Sequence, residues 1–199
     1  MHQKQRQMSE TFRLGALLTV VGGFLDTYTY LSRGGVFANA QTGNIVLLGL
    51  SLAQGNYEML LHYLIPILAF AAGVMVTDMV RAHFRPRPAI HWRQLIILSE
   101  IVLLFLVGFL PQERNMAANM LVSFVCAMQV QTFRKVRGHA YASTMCIGNL
   151  RSGTEALCEY FHDKNPAVLR RALTYFGVIG IFALGAGAGA WITARAGER

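Results

Sequence analysis

Charge is scarce in this sequence: 14% of its residues are Asp, Glu, Lys or Arg, against about 25% in an ordinary soluble domain. With 54% hydrophobic residues and a mean hydropathy of +0.39, too little polar surface remains to clothe a water-facing globule. Cysteine is sparse too. Cys126, Cys146 and Cys158 have neither CxxC spacing nor an even count, and two of them lie inside apolar blocks. Neither a disulfide framework nor a zinc site is therefore supported, and the three read as small packing residues. Catalytic signatures are also missing: the chain has no HExxH, no GxSxG elbow, no Walker lysine loop and no Rossmann glycine pattern. The expectation is a protein that is not an enzyme and uses neither metal nor cofactor.

What the chain has in abundance is long apolar runs, in blocks of about 18–25 residues, the length an α-helix needs to cross a hydrocarbon core of roughly 30 Å. Five blocks read as spans: residues 14–32, 57–80, 92–110, 116–133 and 172–194. The first 13 residues are polar and lack the small-residue cleavage site of a signal peptide, so the first block is expected to stay as a membrane helix. The net charge of +8 does not point to nucleic acid. Its basic residues lie between apolar blocks, at Arg81, Arg85, Arg87 and Arg93 and again at Arg134, Lys135 and Arg137, as topogenic charge beside anionic lipid does.

Two further blocks are too polar to face lipid. Residues 36–53 carry Asn39, Gln41, Thr42 and Asn44, and residues 140–158 carry Arg151 and Glu155. Such helices must be shielded by protein or line a cavity. They also expose an internal repeat: segment 22–49 aligns with segment 127–154, matching Thr27 to Thr132, Tyr28 to Phe133 and Gly43-Asn44 to Gly148-Asn149. The expected architecture is an all-α, polytopic transmembrane bundle forming a single domain over residues 1–199. Repeat one covers about 13–82, a linker helix 92–110, and repeat two about 116–194. If both polar helices cross, there are seven spans and parallel repeats. If both dip in and return, the N-terminus is inside and the repeats are inverted. The positive-inside rule favours the second arrangement, while the length of block 36–53 fits a full crossing.

The motifs Gly22-Gly23-x-x-Asp26, Phe37-Ala38-Asn39-x-Gln41-Thr42-Gly43-Asn44, and Tyr141-Ala142-Ser143-Thr144 running into Gly148-Asn149-Leu150-Arg151-Ser152-Gly153 resemble the YoaK family, bacterial inner-membrane proteins classed under a domain of unknown function. The similarity covers nearly the whole chain, and Gln-Thr-Gly-Asn is its most specific part. One departure is Gln129-Val130-Gln131, where many relatives carry Gln-Asn-Ala. The resemblance implies a multi-pass protein of the bacterial cytoplasmic membrane and supplies no activity.

Mechanism has to come from individual residues. Asp26 lies inside the first span on a stripe with Thr19, Gly22, Gly23 and Tyr30, and an intramembrane acid is a candidate functional group. A packing acid that fixes helix register is the alternative. Glu100 sits near the centre of an apolar span and must either be protonated or meet a cation, for which Arg151 is the candidate. Arg151 and Glu155 are four apart, so they either neutralise one another or leave the guanidinium fork to an anion. Thr42-Gly43-Asn44 and Gly148-Asn149 fall at matching points of the repeat, where glycine permits a helix break and Asn satisfies freed backbone groups. Paired discontinuities of this kind point to a transporter's central site. Gly177, Gly185 and Gly189 give the last helix small-xxx-small spacing, a packing face within the bundle or across a homodimer. Two functions stay open. One is a transporter or channel for a small polar or ionic solute, with Asp26, Asn39, Gln41, Thr42, Asn44, Glu100, Asn149 and Arg151 around its site and the acids carrying coupling protons. The other is a non-transporting membrane module whose polar residues glue helices together.

Overall fold

A computed structural model describes residues 12–85, 91–136, 139–140 and 144–196. The described chain forms helices α1 (Phe12–Ser32), α2 (Gln41–Ala53), α3 (Tyr57–Phe84), α4 (Trp92–Val107), α5 (Asn115–Thr132), α6 (Cys146–Asp163) and α7 (Pro166–Ala196). A 3-10 turn, Gln112–Arg114, leads into α5, and two-residue strands pair Lys135 with Ala140 and Val136 with His139. The expected all-α bundle is thus what the chain forms. Among the described residues α1, α3 and α7 are long and apolar enough to cross a membrane. Their outward faces are apolar: Leu17, Leu68, Met75 and Leu184 are all exposed, while Thr19 and Thr77, and Asn119 and Ser123 of α5, are buried. This reverses the soluble pattern, as expected where lipid is the solvent.

Helix ends follow local chemistry. Asn56 caps α3 by accepting from the Met59 amide at 3.2 Å, and α3 runs on through Pro66. Asn165 likewise accepts from Ala167 at 2.9 Å and starts α7 at Pro166, ahead of the apolar block at 172; proline suits a first turn, where its missing N–H is not needed.

Contacts between helices fix their relative directions. Gln129 donates to the Leu18 carbonyl at 3.0 Å and Asn119 to the Arg33 carbonyl at 2.7 Å, so α5 runs antiparallel to α1. Helix α7 runs parallel to α1, because Gly185 abuts Val20 and Gly189 abuts Phe24. Near the start of α3, His62 donates to the Gly34 carbonyl at 2.9 Å, so α3 begins at the end of the bundle where α1 finishes. Close packing recurs at two places: Gly23 of α1 lies against the backbone of Phe182 in α7, and Gly73 of α3 against that of Phe124 in α5. Helix α2 pairs with α3, and α6 with α7.

Arg33 ties this end of the molecule together. Its guanidinium donates to the Leu110 and Pro111 carbonyls at 2.9 and 3.2 Å, to Asn115 Oδ1 at 3.3 Å and to the Tyr28 hydroxyl at 2.7 Å. It therefore closes the last turn after α4, where backbone carbonyls lack helical partners.

Candidate functional site

The site begins where α1 is interrupted. Gly34 and Gly35, at φ 86° and 76°, adopt a backbone that favours glycine and turn the chain back along α1. The returning segment reaches Asp26, whose Oδ1 accepts from the Asn39 amide at 2.7 Å with the Ala38 and Ala40 amides alongside. Asn39 in turn donates to the Gly22 carbonyl at 3.0 Å. A buried carboxylate thus stands at the start of α2, where free N–H groups favour negative charge.

The Gln-Thr-Gly-Asn motif holds this reversal in place. Asn44 is fully buried and grips Phe37 like a neighbouring strand, accepting from its amide at 3.0 Å and donating to its carbonyl at 2.7 Å. Gln41 bridges from the Ala38 carbonyl to Asn44, at 2.9 and 3.0 Å. Gly43 leaves room for the Phe37 ring, which an added Cβ would meet at 2.9 Å, and that ring stacks on Tyr30 with centroids 4.7 Å apart. The 33–56 segment therefore enters at one end of the bundle, turns at the depth of Asp26 and leaves at the same end.

The second half of the site comes from α4, α5 and α6. Glu100 of α4 is 6% exposed, and its Oε1 has no hydrogen-bond partner among the described residues. The Cys126 thiol of α5 lies beside the Asn39 amide and within electrostatic reach of both Asp26 and Glu100. Cys146, the first residue of α6, is also within electrostatic reach of Asp26. The start of α2 thus holds the Asp26 carboxylate directly, and the start of α6 lies within its field. Asn149, in the first turn of α6, is buried, and Thr144 just before it is buried with an unpartnered hydroxyl. Among the described residues no trio of His, Cys, Asp or Glu is grouped to hold a metal.

Several expectations need correction. The helix breaks do not fall at Gly43 and Gly148. Both glycines lie in first turns of intact helices, and the non-helical chain precedes them. Thr42 is exposed, and Gly148 is exposed with open space beside it. Arg151 does not meet Glu100; its Nε pairs with Glu155 Oε1 at 2.8 Å, with side chains 81% and 61% exposed. Two residues along a helix turn roughly 200°, so burial of Asn149 sends Arg151 outward. Gly177 packs against nothing, whereas Gly185 and Gly189 pack within the bundle on α1. The Arg81 guanidinium, near the end of α3, lies over the Trp92 ring, 6.0 Å from its centroid.

Cys126, which reads from spacing alone as packing, is at the centre of the site, and Asn119 and Ser123 are buried on the same helix. The signal was present: positions 119, 123 and 126 step along one stripe of an otherwise apolar span.

The fold and its polar core define a transmembrane helical protein. A family model described as "Protein of unknown function (DUF1275)" matches residues 14–199, and the chain belongs to that family. It is similar to the UPF0700 transmembrane protein YoaK of Bacillus subtilis (strain 168), 26% identical over 180 residues that cover 86% of this chain and 79% of that protein. No solved structure matches it.

Proposed function

We propose that this protein is a small secondary transporter or channel of the bacterial cytoplasmic membrane, for a small polar or charged solute, with proton coupling at Asp26 and Glu100. The observation that carries the reading is that two buried acids from different helices, Asp26 and Glu100, both lie within electrostatic reach of the buried Cys126, and Asp26 also within that of Cys146 at the start of α6. Keeping such groups at membrane depth is costly, and their usual use is a solute or proton path. Asp26 is held by backbone amides, while Glu100, with a free carboxyl oxygen, is the group open to proton uptake.

The helix pairing supports an inverted repeat as the moving framework. Helices α1, α2 and α3 correspond to α5, α6 and α7: α1 packs on α7 as α5 packs on α3, and α2 on α3 as α6 on α7. In this reading α2 and α6 are re-entrant from opposite faces, five helices cross, and the single domain rocks about α4. Rocking would part Asn39 from Asp26 and admit solute to an interior that is closed here, with Asp26 7% and Asn39 3% exposed.

One observation favours a non-transporting module instead. A cavity of about 530 Å³ between α1, α4 and α7 bypasses the site, its wall formed by residues other than Asp26 and Glu100. Flux into proteoliposomes separates the two readings, with wild type, Asp26→Asn and Glu100→Gln compared over a panel of ions, amino acids and organic acids. Transport predicts at least one solute whose flux both substitutions reduce. Equal flux in all three proteins removes the coupling assignment, and no flux above empty liposomes for any solute leaves the module.

A further inference from the structure

We propose that the 530 Å³ cavity between α1, α4 and α7 binds one anionic phospholipid, with its phosphate at Arg33 and an acyl chain in the trough below. Arg33 is 5% exposed yet lines this cavity. Its partners are Tyr28 Oη, two backbone carbonyls and an amide oxygen, all uncharged, and the guanidinium also lies over the Tyr28 ring, 5.4 Å from its centroid. These four bonds leave one Nη2 hydrogen and the whole positive charge without an anion. A buried cation in that condition is costly unless a counter-ion joins it.

Among the described residues no acid pairs with Arg33. Asp26, two turns earlier on α1, is engaged by Asn39, and Glu113 beside the cavity is exposed. The cavity's shape selects an amphiphile over a free anion. Tyr28, Ser32 and Gln112 stand with Arg33 at the polar end, whereas Val21, Leu25, Leu104 and Ile192 make the remainder aliphatic. Ile192 is exposed on α7 and forms the lip facing lipid. Arg33 follows the last residue of α1, at the end of the bundle where lipid phosphates lie, so an anionic headgroup can supply the missing counter-ion. The guanidinium fork matches phosphate geometry.

The test is native mass spectrometry of the full chain with phosphatidylglycerol, with phosphatidylcholine of matched acyl chains, and with inorganic phosphate alone. Wild type should retain phosphatidylglycerol about fivefold more than phosphatidylcholine, the preference one basic side chain gives for an anionic headgroup. Because Arg33 also ties helix ends together, Arg33→Gln is accompanied by Ile192→Trp, which fills the trough from an exposed position. Ile192→Trp should abolish the preference while leaving the unfolding temperature unchanged. Equal retention of the two lipids overturns the proposal, as does undiminished preference in Ile192→Trp. Displacement of the lipid by millimolar inorganic phosphate also overturns it, by making the site one for a free anion.

Discussion

The contact between α1 and α7 offers a sharp quantitative test, because three glycines of similar sequence context differ in what surrounds them. A Cβ added at Gly23 would lie 2.2 Å from the Phe182 carbonyl oxygen and 2.9 Å from the Ala186 amide; at Gly185 it would lie 2.3 Å from the Val20 carbonyl oxygen. Both obstacles are backbone, so α7 must withdraw from α1 by about 1 Å, forfeiting dispersion contacts along the seam. Overpacking of this kind costs about 1–3 kcal/mol, against a gain of about 1 kcal/mol from replacing glycine by alanine within a helix. Gly23→Ala and Gly185→Ala should each lower the unfolding temperature by several degrees. The double substitution should cost less than the sum, since one separation relieves both clashes. Gly177 has nothing within 4 Å, so Gly177→Ala should keep only the propensity gain and melt at or above wild type. The assay is thermal unfolding in a single detergent, read by a thiol-reactive dye on the buried Cys126 after replacing Cys146 and Cys158 by serine. If Gly177→Ala proves as damaging as Gly23→Ala, or Gly23→Ala is neutral, the seam is not where the structure has it.

Other outcomes follow from single contacts. Asp26→Ala strands the Asn39 amide, a loss of about 1–3 kcal/mol for a buried unsatisfied donor, and should speed proteolysis of the 33–40 segment; unchanged cleavage would disconnect that carboxylate from the reversal. Glu100→Gln removes a buried acid that no cation among the described residues compensates, so its unfolding temperature should hold or rise even as flux falls; a marked drop would reveal an ion pair to that carboxylate. Arg151→Ala breaks only a solvent-exposed pair, and should leave both unfolding temperature and flux at wild-type values; lost flux would return the guanidinium to the solute path. Epitope tags at the N-terminus and between α3 and α4 should report the same side of the membrane, as measured by protease protection of oriented vesicles. Opposite sides would mean that α2 crosses fully.

The boundaries of the apolar helices were legible because their signal is local: hydropathy summed over one segment marks α1, α3 and α7 without reference to any other. Polar content likewise marked α2 and α6 as segments that could not face lipid. What escaped was pairing across helices. Glu100 could be seen to need a special environment, yet only the rotation of α6 fixed by Asn149 and Ala156 shows that Arg151 is turned away from it. Arg33 drew no notice in the sequence because its partners, Leu110, Pro111 and Asn115, are far along the chain and two are backbone atoms, which carry no sequence identity. The small-residue spacing on α7 was visible, but spacing alone does not say which of Gly177, Gly185 and Gly189 meets a neighbour.

The seam between α1 and α7 joins the first and the last of the described helices. While the chain is being made, the groove at Gly23 has no occupant until α7 has been synthesised, well over a hundred residues after α1, since its complement spans Phe182 to Gly189. Shorter nascent products leave that face of α1 against lipid, and the belt of helices shuts only when the last one inserts. Chains cut short after α6 should therefore be cleared by quality-control proteases soon after insertion, whatever the stability of the hairpins already formed.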